Sequence, residues 1–426
     1  MSGDTAWVLM STGLVLFMTI GLALFYGGMV RHQHVLSMIL QNILCIGVVT
    51  VVWLFVAFSL AFDGPGGLIG GLHFIGASRL DHSTLPGFVG PLALTVPPLA
   101  FFHYHMMFAI ITPALITGAS ADRLKLRSWA LFVGLWSLLV YAPVAHWVFS
   151  PIGWLAKRGV FDFAGGLVVH TTAGTGALAL LLVIGPRRGW PESLKQMRPN
   201  SMPLMLLGTG ILWFGWFGFN AGSALGANLL AVHALVNTQV AGAAGMATWL
   251  FTERYKEGRV TSLGGASGAI AGLAAVTPAA GFVDPMVALL IGALAGVICL
   301  YATRLKFVLR YDDALDVVGV HLVGGVLGTI LLGFFANAKV NPHIPNGVFF
   351  GGGAHLLVRQ LLGVGVVFVY TFIVTFAIAK AIHTTIGMRV SPKEEDEGLD
   401  MSEFFENAYD TPQYLRDNVQ EIDPGA

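Results

Sequence analysis

The chain has 426 residues, 55% hydrophobic and only 11% charged, and its 23 basic and 23 acidic side chains cancel to a net charge of zero. Soluble domains carry about 25% charged residues, so this chain cannot cover a globule of its size with solvated surface. The neutral balance gives no basic footprint for nucleic acid, and the two cysteines, Cys45 and Cys299, lie singly in apolar runs, which argues against a disulfide framework or a thiolate metal site.

A hydrocarbon core of about 30 Å needs about 20 apolar residues as helix. Runs of that kind follow in order near 7–30, 36–61, 92–119, 128–148, 163–184, 203–221, 227–252, 262–278, 285–305, 316–337 and 355–386. They are continuous rather than alternating, which excludes a membrane β-barrel. The 54 glycines have no collagen period and read as close packing of helices through small residues. Met1-Ser2-Gly3-Asp4 lacks the basic start of a secretory leader, so the first run is expected to remain as a span. The predicted fold is an all-α integral membrane protein with eleven transmembrane helices.

Lys and Arg orient it. With the amino end outside, the inner loops and the tail hold Arg31, Arg123, Lys125, Arg127, Arg187, Arg188, Lys195, Arg198, Arg254, Lys256, Arg259, Arg304, Lys306, Arg310, Arg389, Lys393 and Arg416. The outer loops hold only Arg79, Lys157, Arg158 and Lys339. Adding or losing one early span would destroy this asymmetry, so an outside amino end and a cytoplasmic carboxyl end are expected. The transmembrane domain is placed at 1–387 and a cytoplasmic regulatory tail at 388–426. The tail carries Glu394-Glu395-Asp396-Glu397 and reads as a solvated segment that only docking under the bundle would order.

Ionisable residues inside a span are functional candidates by default. Asp162, Asp313 and Asp316 sit at or just before helix starts, where unpaired N–H groups and the helix dipole favour a carboxylate. Capping and a direct role both remain open there. His170 lies within the fifth span and His321 within the tenth, in matched contexts: DFAGGLVVH at 162–170 and DALDVVGVH at 313–321. The two spans run in opposite directions, so the histidines reach similar depth from opposite faces. That is the pattern of an inverted repeat with a site at its interface: a first half at 1–185, a second at 203–340, and an extra helix at 355–386. Two neutral imidazoles can share a hydrogen bond and pass a proton. Aromatic rings crowd the third span (Phe101, Phe102, Tyr104, Phe108) and the end of the sixth (Trp213 to Phe219). They suit packing, an interface belt or a steric gate, and spacing does not choose. His103 and His105 point about 200° apart on a helix and cannot share an ion; His233 has no assigned role. No cluster with metal-ligand spacing is visible, nor any nucleophile–base pair, so an enzyme is not expected and no cofactor is implied.

The motifs DFAGGLVVH (162–170), WFGFNAGSA (216–224), GASGAIAGLAAVTPAAG (265–281), DVVGVH (316–321) and GLD…ENAY (398–409) resemble those of the ammonium transporter family, Amt and Mep with the Rh proteins as distant relatives. The resemblance covers nearly the whole chain. It implies a homotrimer in the plasma membrane with one pore per subunit, passing ammonium (or methylammonium as analogue) as ammonia with a relayed proton. It assigns Phe108, Phe149, Ser223 and Asp162 to outer recruitment, Asp162 as a support rather than a direct contact. Phe108 and Phe219 become the gate, His170 and His321 the pore pair, and Asp313 the structural counterpart of Asp162. It also implies a PII-type signalling protein at the loops carrying Arg187–Arg198 and Arg254–Arg259 and at the tail.

Three departures bear on function. Phe149 stands where the family has Trp, keeping a ring for cation–π contact but losing area and an N–H. Tyr104-His105-Met106-Met107 replaces the usual segment before the gate and adds an ionisable His. Glu403-Phe404-Phe405 replaces the tail's usual Ser-His-Gly. A poorly conducting ammonium sensor on the same fold is therefore the alternative reading.

Overall fold

The structure is a computed structural model and describes residues 2–192 and 197–409. Lys195 and Arg416 of the basic set fall outside that range, as does the tail after residue 409. Among the described residues, ten helices are long and apolar enough to cross a membrane: α1 (Ser2–Met29), α2 (His32–Phe62), α3 (Pro98–Ile116), α4 (Leu126–Val148), α5 (Gly166–Ile184), α6 (Met202–Gly222), α7 (Leu229–Glu257), α9 (Pro285–Leu309), α10 (Val318–Phe335) and α11 (His355–Thr385). The eighth expected span is α8 (Ser262–Val276), only 15 residues long. All but its first two residues are buried, so it needs no lipid-matched length of its own. The chain is a multi-pass membrane protein.

Glycine makes the bundle possible. α1 packs along α6, and a Cβ on Gly28 would come within 2.6 Å of the Met205 nitrogen. One on Gly208 would collide with the Phe25 backbone. α5 crosses α10 in the same way: a Cβ on Gly174 would strike the Leu322 backbone, and one on Gly325 would lie 2.6 Å from the Gly166 oxygen and 2.9 Å from the His170 Cβ. Each of these two glycines stands four residues after a histidine of the matched pair, one turn along the same face. The small residues therefore bring two histidine-bearing turns together.

Both turns are π-helical, Gly166–Thr171 at the start of α5 and Val318–Leu322 at the start of α10. Wide turns of this kind cluster at functional sites. Two further π-turns, Trp53–Ala57 and Ser137–Tyr141, interrupt α2 and α4.

On the face that carries the tail, Asp312 receives Arg187 through two side-chain bonds of 2.8 and 2.9 Å, and Arg123 lies 3.7 Å away. Asp122 pairs with Arg31 at 3.1 Å and Arg187 at 3.6 Å. Against the opposing effect of burial, the Arg187 hydrogen bonds and the Arg123 charge hold the Asp312 carboxyl below the usual range, and His34, Arg187 and Arg31 do the same for Asp122. Arg187 is thus turned inward, and of its expected partner-facing loop the described Arg188 and Arg198 are the exposed cations. The tail is not uniformly solvated either. Helices α12 (Pro392–Glu397) and α13 (Leu399–Phe404) fold back under the bundle. Glu395 is buried against Arg389 at 2.7 Å, Asp400 caps the start of α2 through the Leu36 and Ser37 N–H groups, and Glu403 accepts the Leu126 N–H.

Candidate functional site: a polar cavity, a ring stack and a paired imidazole

The loop before α5 is organised by one carboxylate. Asp162 accepts four backbone N–H groups, from Gly165 and Gly166 on one oxygen and Leu167 and Val168 on the other, at 2.7–3.1 Å. Gly165 at φ +120° lets the chain turn tightly enough for this. Asp313 repeats the device at α10 with the Val317 and Val318 N–H groups at 3.1 and 2.7 Å. Both acids therefore cap helix starts. Asp316 instead takes a positive φ of 63° and pairs with Lys306 at 2.6 Å. Asp162 differs from Asp313 in also bordering a cavity.

That cavity, of about 160 Å³, is lined by Phe101, Tyr104, His105, Phe149, Asp162, Phe163 and Ser223 among others. Of the four residues expected at the outer site, Phe149, Asp162 and Ser223 line it; Phe108 lies beneath, its ring 6.4 Å from that of Phe149. Ser223 Oγ donates to the Phe219 carbonyl at 2.8 Å. Tyr104 Oη donates to the Gly218 and Phe219 carbonyls at 2.9 Å and lies 3.2 Å from Ser223 Oγ. With each hydroxyl proton directed to a carbonyl, the oxygen lone pairs remain as acceptors, which suits a guest that only donates. Tyr104 was visible in the sequence only as part of an aromatic cluster; its hydroxyl role depends on α6 ending beside α3.

Phe108 and Phe219 stack with ring centroids 4.2 Å apart and planes 17° from parallel, and both are buried. The two residues expected to form a gate thus meet in a buried ring stack. Below them a second cavity of about 10 Å³ is lined by Leu22, Ile111, Val169, Trp216, Ile270 and the two histidines, among others. That is about the least space that holds one water-sized molecule.

His170 and His321 face each other Nδ1 to Nδ1 at 3.2 Å, with rings 5.2 Å apart and 20° from parallel. Trp216 stacks on His170 at 5.4 Å and is fixed by its N–H to Thr277. An N···N contact of this length holds one proton. One neutral ring then donates through Nδ1 and keeps an acceptor at Nε2, while the other accepts at Nδ1 and keeps a donor at Nε2. Nε2 of His170 is buried without a protein partner. The pair offers this cavity a donor and an acceptor, and a tautomeric exchange swaps them.

The family model for the Ammonium Transporter Family matches residues 6–409. The chain belongs to the ammonium transporter family. It is 48% identical to an ammonium transporter of Mycobacterium tuberculosis strain H37Rv, over 96% of this chain and 90% of the relative. It is 43% identical to ammonium transporter Amt1 of Archaeoglobus fulgidus, over 96% and 99%. Its fold is similar to that of Saccharomyces cerevisiae Mep2, with a TM-score of 0.84 at 34% identity, covering 92% of this chain and 88% of the other. It is also similar to a structure titled a sensor Amt protein, with a TM-score of 0.86 at 29% identity, covering 95% and 98%. Membership of a transporter family fits an all-helical bundle with many apolar helices long enough to cross a membrane.

Proposed function

We propose that this protein carries ammonium across a plasma membrane by deprotonating it above the gate, passing ammonia through the lower chamber and relaying the proton over His170 and His321. The 3.2 Å imidazole pair in a chamber otherwise lined by apolar side chains carries this reading. Ammonium is close to potassium in size, so a cavity alone discriminates poorly; what differs is that ammonium donates hydrogen bonds and can give up a proton. A narrow apolar chamber imposes a large desolvation cost on any ion that keeps its charge. Ammonia leaves the charge behind, accepts from one imidazole and donates to the other. Phe149 and Phe108 supply ring faces for recruitment, Ser223 an acceptor oxygen, and Asp162 a fixed negative charge at the cavity wall.

The inverted repeat has structural support. Equivalent helices of the two halves meet each other, α1 with α6 and the π-turn of α5 with α10, as a pseudo-two-fold arrangement requires. Asp162 and Asp313 cap equivalent turns. With the amino end outside, the cavity at Phe149 and Ser223 faces outward and the docked tail lies in the cytoplasm. Both cavities and the imidazole pair lie within one chain, which supports one pore per subunit in a homotrimer. A PII-type protein would meet Arg188, Arg198, Arg254 and Arg259, all exposed, together with the tail.

The sensor reading rests on the closed Phe108–Phe219 stack and the smaller ring at 149. Methylammonium uptake and current, recorded together on proteoliposomes, separate the two readings. A transporter gives uptake with inward positive charge; a sensor binds ammonium with neither. Uptake without current would overturn the proton relay.

A further inference from the structure

Five histidines are buried among the residues whose side chains are described: His34, His105, His146, His170 and His321. Four have protein partners. His34 accepts the Leu399 N–H, His146 bonds the Ala61 and Gly66 carbonyls, and His170 and His321 bond each other. His105 stands apart. Its Nδ1 is buried without a partner, and among the described residues no group hydrogen-bonds either ring nitrogen.

Orphaned buried polar groups in native proteins call for an explanation. Packing does not supply one. The His105 ring sits among Phe101 at 4.2 Å, Phe62 at 4.8 Å, Phe149 at 5.5 Å, and Tyr104 and Phe108 at 5.8 Å. A phenylalanine would fill that cage with no unmet nitrogen. The ring also borders the outer cavity, between the Phe149 face and the gate. The ring has an unmet acceptor as well as an unmet donor, and a guest that donates N–H would satisfy the acceptor.

We propose that His105 is a substrate-binding residue of the outer cavity, its neutral imidazole accepting an N–H of ammonium that also meets Ser223 Oγ and the Phe149 ring. The proposal rests on the transport reading for the identity of the guest and adds a contact to it. A directional nitrogen lone pair favours a guest with N–H bonds over a spherical potassium ion. It also offsets the smaller ring at position 149, because a hydrogen bond holds the cation where ring area is reduced.

The test uses purified full-length protein, with His105→Phe keeping the ring and His105→Gln keeping a polar acceptor. Binding is measured by calorimetry with ammonium chloride against potassium chloride, and transport by methylammonium uptake in proteoliposomes. His105→Phe is expected to weaken ammonium binding and raise the uptake KM about tenfold, with maximal uptake within twofold of wild type. His105→Gln should recover most of the loss. Unchanged ammonium affinity and KM in a folded His105→Phe would overturn the proposal, as would equal loss in both variants with a lowered melting temperature, which marks a packing role. Binding that responds to His105 in a protein without uptake would sustain this contact and overturn conduction, so the two failures are distinguishable.

Discussion

Replacing Gly325 with alanine tests whether the imidazole contact depends on the close crossing of α5 and α10. The new Cβ would lie 2.6 Å from the Gly166 oxygen, 2.9 Å from the His170 Cβ and 3.0 Å from the Thr171 nitrogen. Ordinary contact begins near 3.4 Å, and two of the three neighbours are backbone, so the helices must part by about 0.8 Å rather than a side chain yield. Carried to the histidines, the same displacement stretches the Nδ1–Nδ1 distance from 3.2 Å to about 4.0 Å, outside hydrogen-bond range. Overpacking of this kind costs about 1–3 kcal/mol, so the variant should fold, melt at a lower temperature and lose most ammonium-evoked current. Gly13→Ala, where the new Cβ meets nothing within 4 Å, is the control. A Gly325→Ala protein that melts lower yet conducts as wild type would refute the link between imidazole contact and conduction. One that melts unchanged would refute the packing argument itself.

Asp162→Ala strands four backbone donors at the start of α5, each costing about 1–3 kcal/mol if left unsatisfied; a large fall in melting temperature is expected, and Asp162→Asn should fall less. Asp312→Asn leaves Arg187 and Arg123 facing a neutral group, for which breaking a buried pair costs about 3–5 kcal/mol, read in denaturant titrations of the purified protein. The Asp312 carboxyl is held below its ordinary value, so its contribution is fully present above the unfolded value of about 3.9 and is lost as pH falls through the folded one; wild type should lose more stability than Asp312→Asn in that acid window. Asp400 and Glu403 shift the other way, burial raising both against their backbone hydrogen bonds. The docked tail therefore binds protons more tightly than a free one, and the protection of amides 392–404 relative to their intrinsic exchange rates should rise as pH falls from neutral through the raised values. Falling protection would contradict the assignment.

Much of this molecule was legible before any coordinates. Continuous apolar runs set the helices, because in lipid a span must satisfy its own backbone. The paired motifs ending in His170 and His321 marked two residues that the fold brings into contact at 3.2 Å, because matched contexts on oppositely running spans reach one depth. The sequence did not reveal that Asp162 would bond four N–H groups, since that geometry depends on Gly165 turning at positive φ. Nor did it reveal that Gly174 and Gly325 set the imidazole distance: their effect lies in what a Cβ would strike on another helix. Composition suggested a solvated tail, yet Glu395 and Asp400 are buried, because basic and N–H partners far away in sequence receive them. His105 was visible as an odd residue near the expected gate, and its missing partner only emerged once the surrounding rings were in place.

The most direct test of the central claim, that His170 and His321 carry the proton while ammonia crosses alone, is the current evoked on a supported membrane by ammonium and by potassium in wild type and His170→Ala. The account predicts ammonium current without potassium current in the wild type, and in His170→Ala either loss of the ammonium current or loss of discrimination against potassium. A His170→Ala protein that passes ammonium current at wild-type selectivity over potassium would contradict it.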